Sequence, residues 1–320
     1  MHTSATTKPA VTSIAALVLL IATLSGCQAG GETAPPPDRA GTSAGQADIL
    51  AVKIDNVAPA RPPTGLEKAD LVYVERVEAG LSRILAVYSS DVPPVIGPVR
   101  SARETDLELL RQFDRPTLAY SGAQSALRPS IEAAPLDALP PSKAPNAYFR
   151  SKDRPAPHNL YLRPENIPHE STQVNAAEDL GLRFAPAPGG GTPVSERTVS
   201  YPSARFTFTW SPEQKKWLVT MDGQASRTAS GDRLSAATVL LQDVTLGPSR
   251  FRDKWGNTSP FTETVGSGSA LALRDGKAYD VTWERDSAAS ATEFTTEDGR
   301  PMTFARGQVW IVLVPTGTAG

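Results

Sequence analysis

Cys27 is the only cysteine in the chain, and its setting decides where the chain folds and what can hold it together. It ends Leu24-Ser25-Gly26-Cys27, which closes the apolar run Val11 to Leu24 behind a polar leader carrying Lys8. A charged leader, an apolar segment too short for a comfortable membrane span and small residues at its end describe a secretory signal. A cysteine directly after the small residues has the form of a bacterial lipobox. Residues 1–26 are therefore expected to be removed and Cys27 to become a lipidated first residue. The expected location is extracytoplasmic, lipid-anchored to the outer face of the cytoplasmic membrane, with the membrane as a partner through Cys27. A secreted protein without lipid is the plainer alternative. With Cys27 used in this way, an oxidising compartment offers no internal disulfide. Packing alone must hold the fold.

The composition allows that. Hydrophobic residues make up 40% and charged residues 21% of the chain, ordinary values for a globular protein. A formal net charge of -2 gives no electrostatic case for nucleic acid, so none is expected as a partner. Of three histidines, His2 falls in the signal, leaving His158 and His169. Histidine-rich metal sites are excluded, and no metal site or cofactor is assigned. His169-Glu170 begins like a zinc-protease helix, but position 173 is Gln. The common hydrolase and phosphate-cradling motifs are missing. An oxygen-only Ca²⁺ or Mg²⁺ site stays open, since spacing does not reveal one.

Residues 27–47, with Gly30-Gly31 and Pro35-Pro36-Pro37, read as the lipidated cysteine and a flexible tether. The expected fold class is α+β: an N-terminal α/β-layer domain over residues 48–185, a linker over 186–200, and a mostly antiparallel β domain over 201–320. Ala51 to Ile54, Leu71 to Glu78, Leu81 to Tyr88 and Thr117 to Tyr120 read as strands. A two-residue loop at Ala79-Gly80 would put Val72, Val74, Leu85 and Val87 on one face and gather Arg76, Glu78 and Arg83 near the turn. Ser101 and Glu104 predict a capping box for a helix to about Phe113. Beyond the linker, Phe206, Phe208 and Trp210 alternate with threonines. Asp222-Gly223, Asp275-Gly276 and Asp298-Gly299 predict hairpin turns. Gln308 to Val314 predicts a central strand buried on both faces.

Chemistry-bearing residues cluster in three segments. Gly97 to Arg103 places Arg100, Ser101 and Arg103 at a predicted helix N-terminus, which suits an anion. The plainer reading pairs Arg103 with Asp106 and Arg100 with Glu75 or Glu78. Asp55 and Asn56 end a predicted strand, where ligands collect in α/β sheets, or merely start a turn. His158 and Asn159 lie in a proline-flanked loop, where a histidine serves as base or ligand contact, or is simply structural. Glu75 and Glu78 would face opposite sides of a strand and make a poor acid/base pair. The five tryptophans suit a sugar surface, but alternating aromatics in a β domain are more often core.

Together, Val52 to Asn56, Gly65 to Asp70, the turn from Glu78 to Arg83, Gly97 to Arg103, Ser121-Gly122 and His158 to Tyr161 resemble the YerB-like lipoproteins of Gram-positive bacteria, a DUF3048-type family. Gly266 to Gly268, Asp275 to Lys277, Val281 to Arg285 and Gly307 to Ile311 extend the likeness into the second half. It implies a two-part, lipid-anchored surface protein and supplies no reaction. The chain departs from the family where His would follow Asn56 and Val57 stands instead, which argues against a mechanism needing a histidine there. The leading expectation is a binding module for an anionic or peptidic envelope ligand, held around Asp55, Asn56, Arg83, Arg100, Ser101, Arg103, His158 and Asn159. A hydrolytic enzyme acting on wall polymers is one alternative; an adaptor regulating a wall-synthesis protein is the other.

Overall fold

The most apolar strands of the chain lie side by side at the centre of the structure, a computed structural model that describes residues 49–167, 181–252 and 258–316. Cys27, the signal, the tether, His169 and Trp255 lie outside the described residues. In chain order the first half supplies β1 (Leu50–Asp55), β2 (Leu71–Arg76), β3 (Ser82–Tyr88), α1 (Glu104–Leu110), β4 (Thr117–Ala119), α2 (Arg128–Ala133), β5 (Asp137–Leu139), β6 (Tyr148–Arg150) and β7 (Leu160–Leu162). Next come β8 (Arg183–Phe184), β9 (Thr192–Pro193), β10 (Glu196–Tyr201), β11 (Ala204–Ser211), β12 (Lys216–Met221), β13 (Gln224–Ala225) and β14 (Ser235–Ala236). The chain continues through β15 (Thr238–Arg252), β16 (Thr258–Glu263), β17 (Gly266–Arg274), β18 (Lys277–Arg285), β19 (Glu293–Thr296), β20 (Thr303–Phe304) and β21 (Val309–Pro315).

The main sheet runs β19-β18-β17-β15-β21-β2-β3-β1-β4-β5. Pairing is parallel at β15–β21, β21–β2, β1–β4 and β4–β5 and antiparallel at its other junctions. β21 is the central strand that its composition predicts: Trp310 and Val312 enter the core on one face, Val309, Ile311 and Leu313 on the other. A second sheet, β10-β11-β12-β13, covers the first face, where Phe206, Phe208, Trp217 and Val219 join Val72, Val74 and Ile84. Asp222-Gly223 and Asp275-Gly276 both take positive φ and close tight hairpins, β12–β13 and β17–β18.

The opposite face is closed by α1 and α2, with Leu107, Leu110 and Ile131 against Leu71, Tyr73, Leu85 and Val87. Among the described residues, the helical layer expected over residues 48–185 reduces to these two α-helices, seven and six residues long, and those residues are mostly strand. Helix α1 starts later than the Ser101 box predicts. Ser121 N–H bonds the Arg100 carbonyl and Ala102 N–H the Gly122 carbonyl, holding residues 100–102 against a neighbouring loop. Arg103 becomes the N-cap residue, and its N–H donates to Asp106 Oδ2 at 2.7 Å. Helix α1 also ends before Phe113, where Gln112 Nε2 takes the Leu109 carbonyl.

The hairpin register also differs from expectation. The turn between β2 and β3 spans Val77 to Leu81, closed by Val77 N–H on the Leu81 carbonyl. Glu78–Gly80 form a 3₁₀ turn in which Ala79 has φ 56. Val74 therefore pairs with Ile84, not Leu85, and Arg76 with Ser82, not Arg83. A one-residue slip exchanges the faces of a strand, so Val72, Val74, Ile84 and Ala86 share one core and Leu85 and Val87 the other. Gly80 fixes this turn: at φ +69, a Cβ there would meet Pro202 Cβ at 2.5 Å. Gly80→Ala should cost about 1–3 kcal/mol, seen as a lower denaturant midpoint at unchanged slope.

Candidate functional site

Charged residues interrupt three apolar strands at one end of the main sheet. β1 ends Lys53-Ile54-Asp55, β2 ends Glu75-Arg76 and β3 begins Ser82-Arg83. The register sets both Asp55 and Glu75 opposite Arg83. Strand alternation then puts Lys53, Asp55, Glu75 and Arg83 on the face that carries α1, and Asn56, Ser82 and Arg76 on the other.

The inner part of the cluster is dry. Lys53 Nζ donates to Asp106 Oδ1 at 2.7 Å and to Glu75, and the three side chains are 0–2% exposed. Burial draws the Lys53 ammonium down to about 8 against the pull of Asp106, with Arg103 and Arg83 pushing the same way as burial. A lone buried lysine would be costly, and two carboxylates are what hold it there.

The outer part is built on Asp55, itself 1% exposed. His158 Nδ1 lies 2.7 Å from Asp55 Oδ2, Arg100 Nε 3.1 Å from the same oxygen, and Arg83 Nη1 3.5 Å from Oδ1. Oδ1 has no hydrogen-bond partner among the described residues. Arg100 and His158 keep 24% and 19% of their side chains open. Two guanidinium groups and an imidazole thus meet one carboxylate, while Lys53 meets two. The cluster is polarised, with surplus positive charge at its open end and surplus negative charge at its buried end.

The remaining expected site residues go elsewhere. Arg103 does not pair with Asp106 through its side chain; its Nε and Nη2 hold Glu78 at 2.8 and 2.9 Å. Ser259 also donates to Glu78. Burial would raise the Glu78 carboxyl, but Arg103, aided by Ser259, holds it at about 2. Arg100 turns to Asp55 and not to Glu75 or Glu78. Asn56 Nδ2 bonds Ser82 Oγ at 2.8 Å on the opposite face. Ser101 Oγ lies 3.5 Å from Ser121 Oγ. Asn159 bonds Arg150 and the Ser151 carbonyl, bracing the β6–β7 ribbon that carries His158. Trp217, Trp283 and Trp310 are core, and Trp210 packs on Trp217 with the rings tilted at 53°.

Sequence reasoning missed Lys53 and Asp106 as buried partners. A lysine amid Leu50-Ala-Val-Lys-Ile-Asp55 was the available signal, because a buried cation in an apolar strand requires a buried acid. Gln124 was also missed: both polar atoms of its amide are buried without a partner among the described residues, beside the Ser121-Gly122 loop.

Comparison with known proteins places this architecture. Residues 36–177 match the "Protein of unknown function (DUF3048) N-terminal domain" and residues 197–311 its C-terminal domain. The chain belongs to the DUF3048 family. A curated relative of this DUF3048 protein is "Putative lipoprotein YerB" of Bacillus subtilis (strain 168), 25% identical over 279 residues, covering 83% of this chain and 81% of the relative. The crystal structure of the Bacillus subtilis YerB protein superposes with a TM-score of 0.68 at 22% identity, covering 84% of this chain and 91% of that one. The likeness establishes a shared fold. Among the described residues of the DUF3048 chain, no helix is long and apolar enough to cross a membrane.

Proposed function

We propose that the DUF3048 chain is an extracytoplasmic binding module, anchored through Cys27, that takes an anionic or peptidic envelope ligand at the Asp55 cluster. The observation that carries this reading is the convergence of Arg83, Arg100 and His158 on one buried carboxylate, with Arg100 and His158 partly open. Asp55 engages one nitrogen of Arg100, and a guanidinium has five N–H donors in a fixed fork. The guanidinium donors left over would meet a carboxylate or phosphate through charge-assisted bonds. Asp55 pre-sets the angles of both groups, so little side-chain entropy remains to be lost on binding.

Thermal unfolding against wall peptides, phosphorylated glycans and lipid-precursor head groups tests it. At about a hundred times its dissociation constant a ligand should stabilise the protein by about 2.7 kcal/mol. Arg100→Ala should abolish that shift. A shift of the same size in the mutant, or none across the panel, would refute the site.

A second reading rests on His158 Nδ1 facing Asp55. A carboxylate on Nδ1 orients an imidazole and leaves Nε2 to act as a general base. Turnover of wall polymers that vanishes in both His158→Ala and Asp55→Ala would favour hydrolysis over binding alone.

A further inference from the structure

The corrected register of β2 and β3 leaves one arginine without an obvious reason to be where it is. Arg76 pairs with Ser82 across the strands and points away from Asp55, Glu75 and Arg83. Its Nε is shut off from solvent with no hydrogen-bond partner among the described residues. Neither nearby acid is available to it. Glu75 is on the other face, engaged with Lys53, and both oxygens of Glu78 are taken by Arg103 and Ser259. A buried guanidinium nitrogen left unpaired is costly, and the rest of the Arg76 side chain is only part-buried, so its terminal nitrogens can reach an acceptor from outside.

There is room for one. Arg76 lines a cleft of about 350 Å³ between the β2–β3 turn, the β10–β11 turn and the start of the β15–β16 arm. The size is within the range of small-molecule sites. The cleft's form is built rather than incidental. Ser203 N–H bonds the Gly80 carbonyl at 3.0 Å and its hydroxyl the Ala79 carbonyl at 2.8 Å, locking the two turns together. Ser259 on Glu78 fixes the third wall. Pro202, Pro248 and Pro260 line the space with rigid apolar rings, which lose no side-chain entropy on contact.

We propose that this cleft is a second binding site, which takes the free carboxylate of a short peptide. The Arg76 fork would hold both carboxylate oxygens, matching guanidinium geometry, and the proline rings would cover the small apolar side chain next to it. Glu78, already neutralised by Arg103, poses no repulsion. Arg76 leaves β2 on the opposite face of the sheet from Asp55, and Asp55 is held by Arg83, Arg100 and His158, none of which lines this cleft.

The test uses the full chain labelled with ¹⁵N-arginine, following the Arg76 Nε–H resonance, which is assigned by its absence in Arg76→Lys. The probes are N-acetyl-alanyl-alanine with a free C-terminus, the same dipeptide as its C-terminal amide, and inorganic phosphate. The acid should shift the resonance saturably and the amide should not. Arg100→Ala should leave that response intact, and in calorimetric titration Arg76→Lys should weaken binding of the acid by about tenfold or more. An unmoved resonance, an equal response to the amide, or tighter binding of phosphate would overturn the proposal. Because Arg100→Ala removes only the Asp55 site, failure here is separable from failure there.

Discussion

Lys53→Met should lower the unfolding free energy by about 3–5 kcal/mol, a fall in Tm on the order of 10 °C. The methionine fits the apolar environment, and the loss comes from what it abandons. Glu75 and Asp106, 1% and 0% exposed, would be left as two carboxylates with no cation in contact. Adding Glu75→Gln and Asp106→Asn should restore much of the loss, because a neutral buried cluster needs no counter-charge. Chemical denaturation of the single and triple variants decides the matter, and a near-neutral single variant would show that the cluster is not energetically coupled. The pH dependence supplies a second signature. Burial brings Lys53 to about 8 from 10.5, so between those values the unfolded chain holds a proton that the folded chain has released. Stability should rise with pH across that window in the wild type, and Lys53→Met should lack the rise.

Acid should expose the other strong pair. Glu78 sits at about 2 in place of 4.5 and is one-fifth exposed. A carboxyl held low contributes stability that is complete above its unfolded value and is lost as pH falls through its folded one. The shift corresponds to about 3 kcal/mol. Wild type and Glu78→Gln should therefore differ by roughly that amount near neutral pH and converge by about pH 2. Parallel curves would mean that the Arg103 fork contributes nothing to folding.

The strands were easier to read than their pairing. Runs such as Val309-Trp-Ile-Val-Leu-Val314 have no polar face to offer solvent, so their centrality follows from composition. The β2–β3 register did not, because Ala79-Gly80 looks like a two-residue loop and the left-handed Ala79 lengthens the turn instead. A single residue of turn length exchanged the faces of β3 relative to β2. The convergence of Asp55, Arg83, Arg100 and His158 was legible only as a list of candidates. Their meeting requires β1 to pair with β3 and the β6–β7 ribbon to reach back across about a hundred residues, contacts of a range that local pattern does not encode. The helices were over-read because the tertiary bonds of residues 100–102 to the Ser121-Gly122 loop displaced a locally plausible cap.

The place of β21 sets a timetable. It is the last described strand in the chain, yet it lies between β15 and β2 and bridges the two halves of the main sheet. A chain delivered N-terminus first, whether from the ribosome or through a membrane pore, carries β2 with one flank unpaired until residues 309–315 arrive. Closure then happens late and all at once, over contacts distant in sequence, which is slow by its topology. In the interval the open strand flanks invite wrong partners. Truncations that remove this strand should produce aggregates rather than a shorter folded protein.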